Sequence, residues 1–287
     1  MTRKGRNRGK ADQDEEPTVN NKTKITLTPE QETLLIPLYA KAQPENPLFF
    51  DPKARDILSR VDYDFSRLRM PYKTVVLICQ RAKKLDATTR AFLAEHPGGV
   101  VLHLGCGLDS RFWRVDNGQV EWYDLDMPPV IELRRQFYPE AERYHLIASS
   151  VTDLAWVDAV AAAGRPVLAV AEGLLMYLDE ANVKRLFLRL REVFPGCRLI
   201  ADVFSRMAAR SATRHPSLKQ TGASIGWGID DPREVEGWVR GIRLLEEWYF
   251  TQDPDLDRLS LGYRLAYKLA GAFKMVQRAH RIVYYQL

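Results

Sequence analysis

From Val100 to Val203, short and largely apolar runs alternate with longer stretches whose apolar residues recur every three or four positions. The runs Val100–Leu104, Val120–Asp124, His145–Ala148, Pro166–Ala171 and Leu199–Val203 read as strands. Between them, the segments near Phe112, over Pro129–Phe137, around Trp156–Ala162 and over Ala181–Phe194 read as helices. A continuously apolar strand must be covered on both faces, which a parallel sheet flanked by helices provides. Ligands of such sheets gather beyond the carboxyl ends of the strands.

Helical spacing also precedes the first strand. Thr28-Pro29-Glu30 has the cap and first-turn proline of a helix running to about Ala42. Asp51-Pro52 opens a short helix carrying Ala54, Ile57 and Leu58, and Lys73–Phe92 places Val75, Leu77, Ile78, Cys79, Ala82, Leu85 and Phe92 at apolar positions. After the fifth strand come a polar stretch, Ser205–Ser224, a helical segment Glu234–Gly241, strands at Leu244–Phe250 and Arg281–Gln286, and helical periodicity over Leu261–Arg278. The pattern predicts residues 1–24 as a solvated basic tail, 25–97 as a helical lid or support, and 98–287 as an α/β domain with an insertion at 204–228.

The turn after the first strand carries the candidate chemistry. In Leu104-Gly-Cys-Gly-Leu-Asp-Ser-Arg111 two glycines one residue apart let the backbone take conformations closed to other residues and let a ligand lie against the main chain. Asp126, 19 residues beyond Gly107 at the tip of the next strand, can accept both hydroxyl hydrogens of a ribose. A dinucleotide fold wants a third glycine three residues after the second, and Ser110 stands there. The pattern therefore favours a nucleoside without a pyrophosphate, such as S-adenosylmethionine. Asp109 reads most simply as a cap on the helix that follows.

These segments, with Asp51-Pro-Lys-Ala54, Arg81 through Leu93, Asp124-Leu-Asp-Met-Pro128, Ser149-Ser-Val-Thr-Asp153 and Ala171-Glu-Gly-Leu-Leu-Met-Tyr-Leu178, resemble in order and content the leucine carboxyl methyltransferase family, most of all its polyketide-associated branch. The resemblance spans residues 28 to about 240. It implies the seven-stranded, Rossmann-like class I methyltransferase sheet with helices on both faces, an N-terminal helical lid, and S-adenosyl-L-methionine as cofactor. By the same resemblance Asp126 holds the ribose, Gly105 and Gly107 border the methionine part, Arg81 pairs with its carboxylate with Lys41 as a second cation, and Glu172 faces its amino group. Ser150 and Val151 stand beside the adenine, where the short uncharged Ser150 replaces the family's Asp. Met176 and Tyr177 are placed to line the acceptor pocket.

Methyl transfer from a sulfonium needs alignment and exclusion of water. A carboxylate acceptor, with a reference pKa near 4, needs no general base, whereas a phenol, near 10, does. No His-Asp pair stands out in the sequence, and no catalytic base is assigned. The expected activity is O-methylation of a carboxylate or hydroxyl of a small, polyketide-like metabolite. Methyl-esterification of a protein C-terminal carboxylate and a non-catalytic cofactor-binding scaffold are the competing readings.

Composition narrows the partners. Five of the 42 basic residues, Arg3, Lys4, Arg6, Arg8 and Lys10, lie in the first ten positions, leaving 37 basic against 37 acidic in the remainder. A neutral body argues against a phosphate-tracking surface, so no nucleic-acid partner is expected. No apolar run approaches the roughly 20 residues that cross a bilayer, and no membrane partner is expected. Cys79, Cys106 and Cys197 are scattered, as are the five histidines, which points to a reducing, cytoplasmic compartment and no metal site.

Overall fold

The computed structural model describes residues 34–68, 70–213 and 225–287. The predicted tail, the helix start at Thr28 and much of the 204–228 insertion lie outside the described residues. Seven strands form one sheet: β1 (Val100–Leu104), β2 (Glu121–Asp126), β3 (Tyr144–Ala148), β4 (Val167–Ala171), β5 (Arg198–Phe204), β6 (Arg243–Tyr249) and β7 (His280–Gln286). Their order across the sheet is β3-β2-β1-β4-β5-β7-β6. The first five run parallel, and β7 is inserted antiparallel between β5 and β6. This is the class I methyltransferase sheet, with the order reversing at β1 and β4, where a crevice opens at the carboxyl edge.

Among the described residues three α-helices precede β1: α1 (Leu35–Lys41), α2 (Pro52–Arg60) and α3 (Tyr72–Glu95). α2 begins where Asp51 accepts hydrogen bonds from the Lys53 and Ala54 amides at 3.0 and 3.1 Å and Pro52 presets the first turn. Between the strands lie α4 (Arg111–Val115), α5 (Pro128–Arg135) and α6 (Glu180–Val193), the last capped by Asp179. α7 (Arg206–Thr213) follows β5, and α8 (Leu261–Ala272) and α9 (Lys274–Gln277) precede β7.

The sheet divides the core in two. Val100, Leu102, Leu104, Ala169, Ala171 and Leu199 pack with α6, while Val101, Leu168, Val170 and Ile200 pack with Leu35, Leu38, Leu85 and Phe92 of α1 and α3. The N-terminal helices thus cover one face of the sheet and share its core.

Three expectations need correction. Around Trp156–Ala162 the chain forms a single 3-10 segment, Leu154–Ala159, because the consecutive left-handed residues Ala163 and Gly164 turn it toward β4 too soon for an α-helix. At Glu234–Gly241 a 3-10 segment, Pro232–Gly237, is held by a capping box between Asp231 and Glu234 and runs almost directly into β6. The periodicity over Leu261–Arg278 belongs to two helices, because Phe273 is extended (φ −111°, ψ 104°) and redirects the chain toward β7.

Candidate active site

Gly105 and Gly107, in the turn leaving β1, adopt φ of +63° and +51°. A Cβ at Gly105 would lie 2.9 Å from Leu174 Cδ1, so this position excludes any larger residue on two counts. A cavity of about 380 Å³ opens beside the turn. Its polar wall comprises Lys41, Arg81, His103, Asp109 and Glu172, and its apolar wall includes Ile36, Pro37, Met176, Tyr177 and Phe204. Six of the ten residues predicted for the site therefore line one space with Gly105: Lys41, Arg81, Gly107, Glu172, Met176 and Tyr177.

Asp126, Ser150 and Val151 are not on that wall; they occupy the tips of the next two strands. Asp126 remains joined to the turn, because its Oδ2 accepts the Gly107 amide at 2.8 Å while Oδ1 accepts the Met127 amide at 2.8 Å. Burial raises its carboxyl above the ordinary carboxylate value, against the lowering effect of those two amides. The Ser150 hydroxyl pairs with Thr152 Oγ1 at 2.8 Å, and the Val151 side chain is packed in the core.

The charged wall is a closed network. Arg81 donates through Nε to Glu172 Oε1 at 3.1 Å and through a terminal nitrogen to Asp202 Oδ2 at 2.9 Å. Asp202 also accepts the Gly173 amide at 2.6 Å and contacts His280 Nε2 at 2.8 Å. The second oxygen of Glu172 is held by Arg111, which reaches Asp86 at 2.8 Å through its Nε. Burial alone would raise the Glu172 carboxyl, but Arg81, then Arg111 and Lys41, overcome it and hold it below the usual range. Asp202 is likewise held far below that range, burial being outweighed first by Arg81.

Asp109 does more than the sequence suggested. The helix cap is Ser110, without a side-chain capping bond, and Asp109 faces the cavity instead. It forms ion pairs with Lys41 at 2.8 Å, Arg114 at 2.7 Å and Arg111 at 3.3 Å, while its Oδ2 has no hydrogen bond despite being buried. Arg111, Asp202, His103 and His280 are further residues of the network that went unassigned. A signal existed for two of them: His103 is the single polar residue of β1 and Asp202 the single polar residue in the interior of β5, which burial permits only with partners. His103 has both ring nitrogens engaged, Nδ1 with Asp124 at 2.9 Å and Nε2 with Arg111 at 3.1 Å.

The glycine cradle, the ribose-competent Asp126 and the paired charges fit a nucleoside with an amino-acid tail. A sequence model of the leucine carboxyl methyltransferase family matches residues 35–191. The chain belongs to this family. Among similar proteins, the tetracenomycin polyketide synthesis O-methyltransferase TcmP of Streptomyces glaucescens is 44% identical over 81% of this chain and 87% of its own length. The S-adenosyl-L-methionine-dependent methyltransferase dpfgK of Gibberella zeae is 33% identical, covering 81% of this chain and 86% of its own. Solved structures share the fold: a DUF574 family protein of Streptomyces avermitilis has a TM-score of 0.58 at 12% identity, covering 90% of this chain and 99% of that one. A Thermobifida fusca protein assigned as a methyltransferase has a TM-score of 0.56 at 18% identity, covering 88% and 93%. Among the described residues, no helix of this leucine carboxyl methyltransferase family member is long and apolar enough to cross a membrane, and no His/Cys/Asp/Glu cluster could hold a metal ion.

Proposed function

We propose that this chain is an S-adenosylmethionine-dependent O-methyltransferase whose acceptor is a carboxylate on a small, flat, largely apolar molecule of polyketide type. One observation carries the choice of a carboxylate. Every titratable side chain among the described residues of the cavity wall is either tied into an ion pair or hydrogen bond or driven toward its neutral form. His103 has both nitrogens occupied, Lys41 is paired with Asp109, Glu172 is held by two arginines, and burial pushes the Cys106 thiol and the Tyr177 phenol up. Among the described residues this wall supplies no general base, so it suits an acceptor that arrives already ionised. The apolar wall of Ile36, Pro37, Met176, Tyr177 and Phe204 suits flat rings, and the likeness to TcmP, an O-methyltransferase of polyketide synthesis, supports an acceptor of polyketide type.

In this reading Asp126 holds the ribose, and the backbone of Gly105 and Gly107 borders the amino-acid tail. Arg81 and Lys41 carry the positive charge that tail's carboxylate needs, and Glu172 and the unbonded Oδ2 of Asp109 the negative charge its ammonium needs. In the structure these groups satisfy one another, Arg81 with Glu172 and Lys41 with Asp109. Binding is then an exchange of ionic partners between groups already desolvated and oriented. When bound, the cofactor supplies a methyl group on a positively charged sulfur, open to in-line displacement by an oxygen nucleophile. The protein's own share is alignment and exclusion of water, for which α1 contributes Ile36, Pro37 and Leu38 to the cavity wall. Three free, buried cysteines support a reducing, cytoplasmic setting.

The test uses cofactor labelled in its methyl group with paired aromatic acceptors, one bearing a carboxyl and one only phenolic hydroxyls. The expected product is a methyl ester, whose label is released as methanol by mild alkali. Label that withstands alkali, or appears only on the phenolic acceptor, overturns the carboxylate assignment.

A further inference from the structure

The helix inserted ahead of β7 carries large apolar residues on its outer side as well as on its inner one. On its inner side the Tyr263 ring meets Tyr72 edge-on at 4.9 Å, and the Tyr267 hydroxyl donates to Gln80 Oε1 at 2.6 Å. On its outer side Leu261, Leu265 and Leu269, one turn apart, are 68%, 52% and 65% exposed. Phe273, Met275 and Val276, at and just beyond the bend that ends the helix, are 61%, 65% and 48% exposed. Six of the thirteen exposed large apolar residues among the described residues thus fall within sixteen positions of a chain of 287. Exposures this high mark protruding side chains, and scattered single residues would need no explanation where a cluster along one short stretch of chain does.

The charged residues of this stretch of chain have one sign. Residues 258–287 contain no aspartate or glutamate. Lys268, Lys274 and Arg278 stand exposed on the same stretch, and the two lysines take part in no ion pair among the described residues, whereas Arg264 is matched by Asp257 at 2.9 Å. A second copy docked helix to helix would set these cations against their own kind, as like charges flanking an apolar seam oppose association. An exposed cluster of leucine, phenylalanine and methionine interspersed with lysine and arginine is the arrangement of a helix lying in a membrane interface: apolar side chains enter the acyl boundary and long cationic ones meet acidic head groups.

We propose that α8 and α9 dock this protein peripherally on an anionic lipid surface, with Leu261, Leu265, Leu269, Phe273, Met275 and Val276 inserted and Lys268, Lys274 and Arg278 on the head groups. This departs from the expectation of no membrane partner, which rested on the lack of a spanning segment; an interfacial helix needs none. It stands independently of the choice of methyl acceptor.

The experiment is flotation of the full chain with phosphatidylcholine vesicles made anionic by phosphatidylglycerol, and with pure phosphatidylcholine. The wild type floats with the acidic vesicles, weakly or not at all with the neutral ones, and is released by high salt. Lys268→Gln with Lys274→Gln lowers partitioning on the order of 30-fold at low salt, and Leu265→Ser with Leu269→Ser abolishes it, while both pairs keep the wild-type unfolding midpoint and S-adenosylhomocysteine affinity. Three results overturn the proposal. The wild type could stay with the soluble fraction, the leucine pair could float like the wild type (placing the contact elsewhere), or sedimentation could show a wild-type dimer that the leucine pair makes monomeric, assigning the cluster to a second copy.

Discussion

Asp126→Asn separates ribose recognition from folding. In the structure the two carboxylate oxygens each accept one backbone amide, from Gly107 and Met127 at 2.8 Å, and each keeps a lone pair for a further donor. Because burial raises this carboxyl, the folded state binds its proton more tightly than the unfolded chain, and the group's contribution to stability falls as pH rises through its folded value. At neutral pH the charge is therefore a small burden on the fold. Asparagine removes that burden but offers one acceptor oxygen where aspartate offers two, and losing one amide bond costs about 1 kcal/mol. The two effects oppose, so the unfolding midpoint moves by no more than about 3 °C. Binding responds differently. A hydrogen bond to a charged acceptor contributes about 1.5–3 kcal/mol and a neutral one about 0.5–1.5 kcal/mol, so two ribose hydroxyls together lose about 2–3 kcal/mol, a 30- to 150-fold weaker Kd. Titration calorimetry with S-adenosylhomocysteine beside thermal unfolding reads both quantities. A Kd within threefold of the wild type at an unchanged midpoint refutes the ribose assignment, and a fall of ten degrees or more refutes the separation of roles.

Further expectations concern the buried network and the turn. Arg81→Ala leaves Glu172 and Asp202 without their shared cation, so it should destabilise the fold by about 3–5 kcal/mol by denaturant unfolding and also weaken cofactor binding; unchanged affinity in the folded variant would remove Arg81 from the site. Asp124, fully buried, is held at about 2, burial being outweighed by Arg134, His103 and the Tyr144 hydroxyl. A depressed carboxyl stabilises the fold above its unfolded value near 4, and that contribution is lost as pH falls from there through 2, so the acid-unfolding curve of the wild type should be steeper below pH 4 than that of Asp124→Asn. Gly105→Ala meets both a left-handed backbone and the Leu174 methyl, and should cost about 1–2 kcal/mol in stability while removing measurable cofactor binding. Burial pushes the Cys79 thiol up to about 12 and raises Cys106 well above its ordinary value, so a thiol reagent at pH 8 should label neither until the protein is unfolded.

The central strands β1, β4 and β5 were legible because burial on both faces leaves runs that are apolar but for two residues at most, and the cradle because only glycine fits two left-handed positions in close succession. The ionic network was half legible. His103, Asp124 and Asp202 announce themselves as polar residues in buried strands, but their partners Arg81 and Arg111 come from separate helices, and the pairing depends on tertiary packing. The 3-10 segments at Leu154–Ala159 and Pro232–Gly237 escaped for a local reason: a turn too short for an α-helix carries the same apolar spacing as one. The outward leucines of α8 invert the usual meaning of such spacing, because periodicity fixes which residues share a side but not which side faces the core.

Gln80 and Arg81 are consecutive residues of α3 that serve different layers. Gln80 accepts from Tyr267 of the late helix and donates to the Phe250 carbonyl at 3.1 Å, whereas Arg81 holds Glu172 and Asp202 at the cavity. A single peptide unit therefore bolts the peripheral appendage to the charged wall. Trimming the 261–278 segment as a dispensable ornament would strip Gln80 of its tyrosine donor and loosen the very turn that aims the guanidinium.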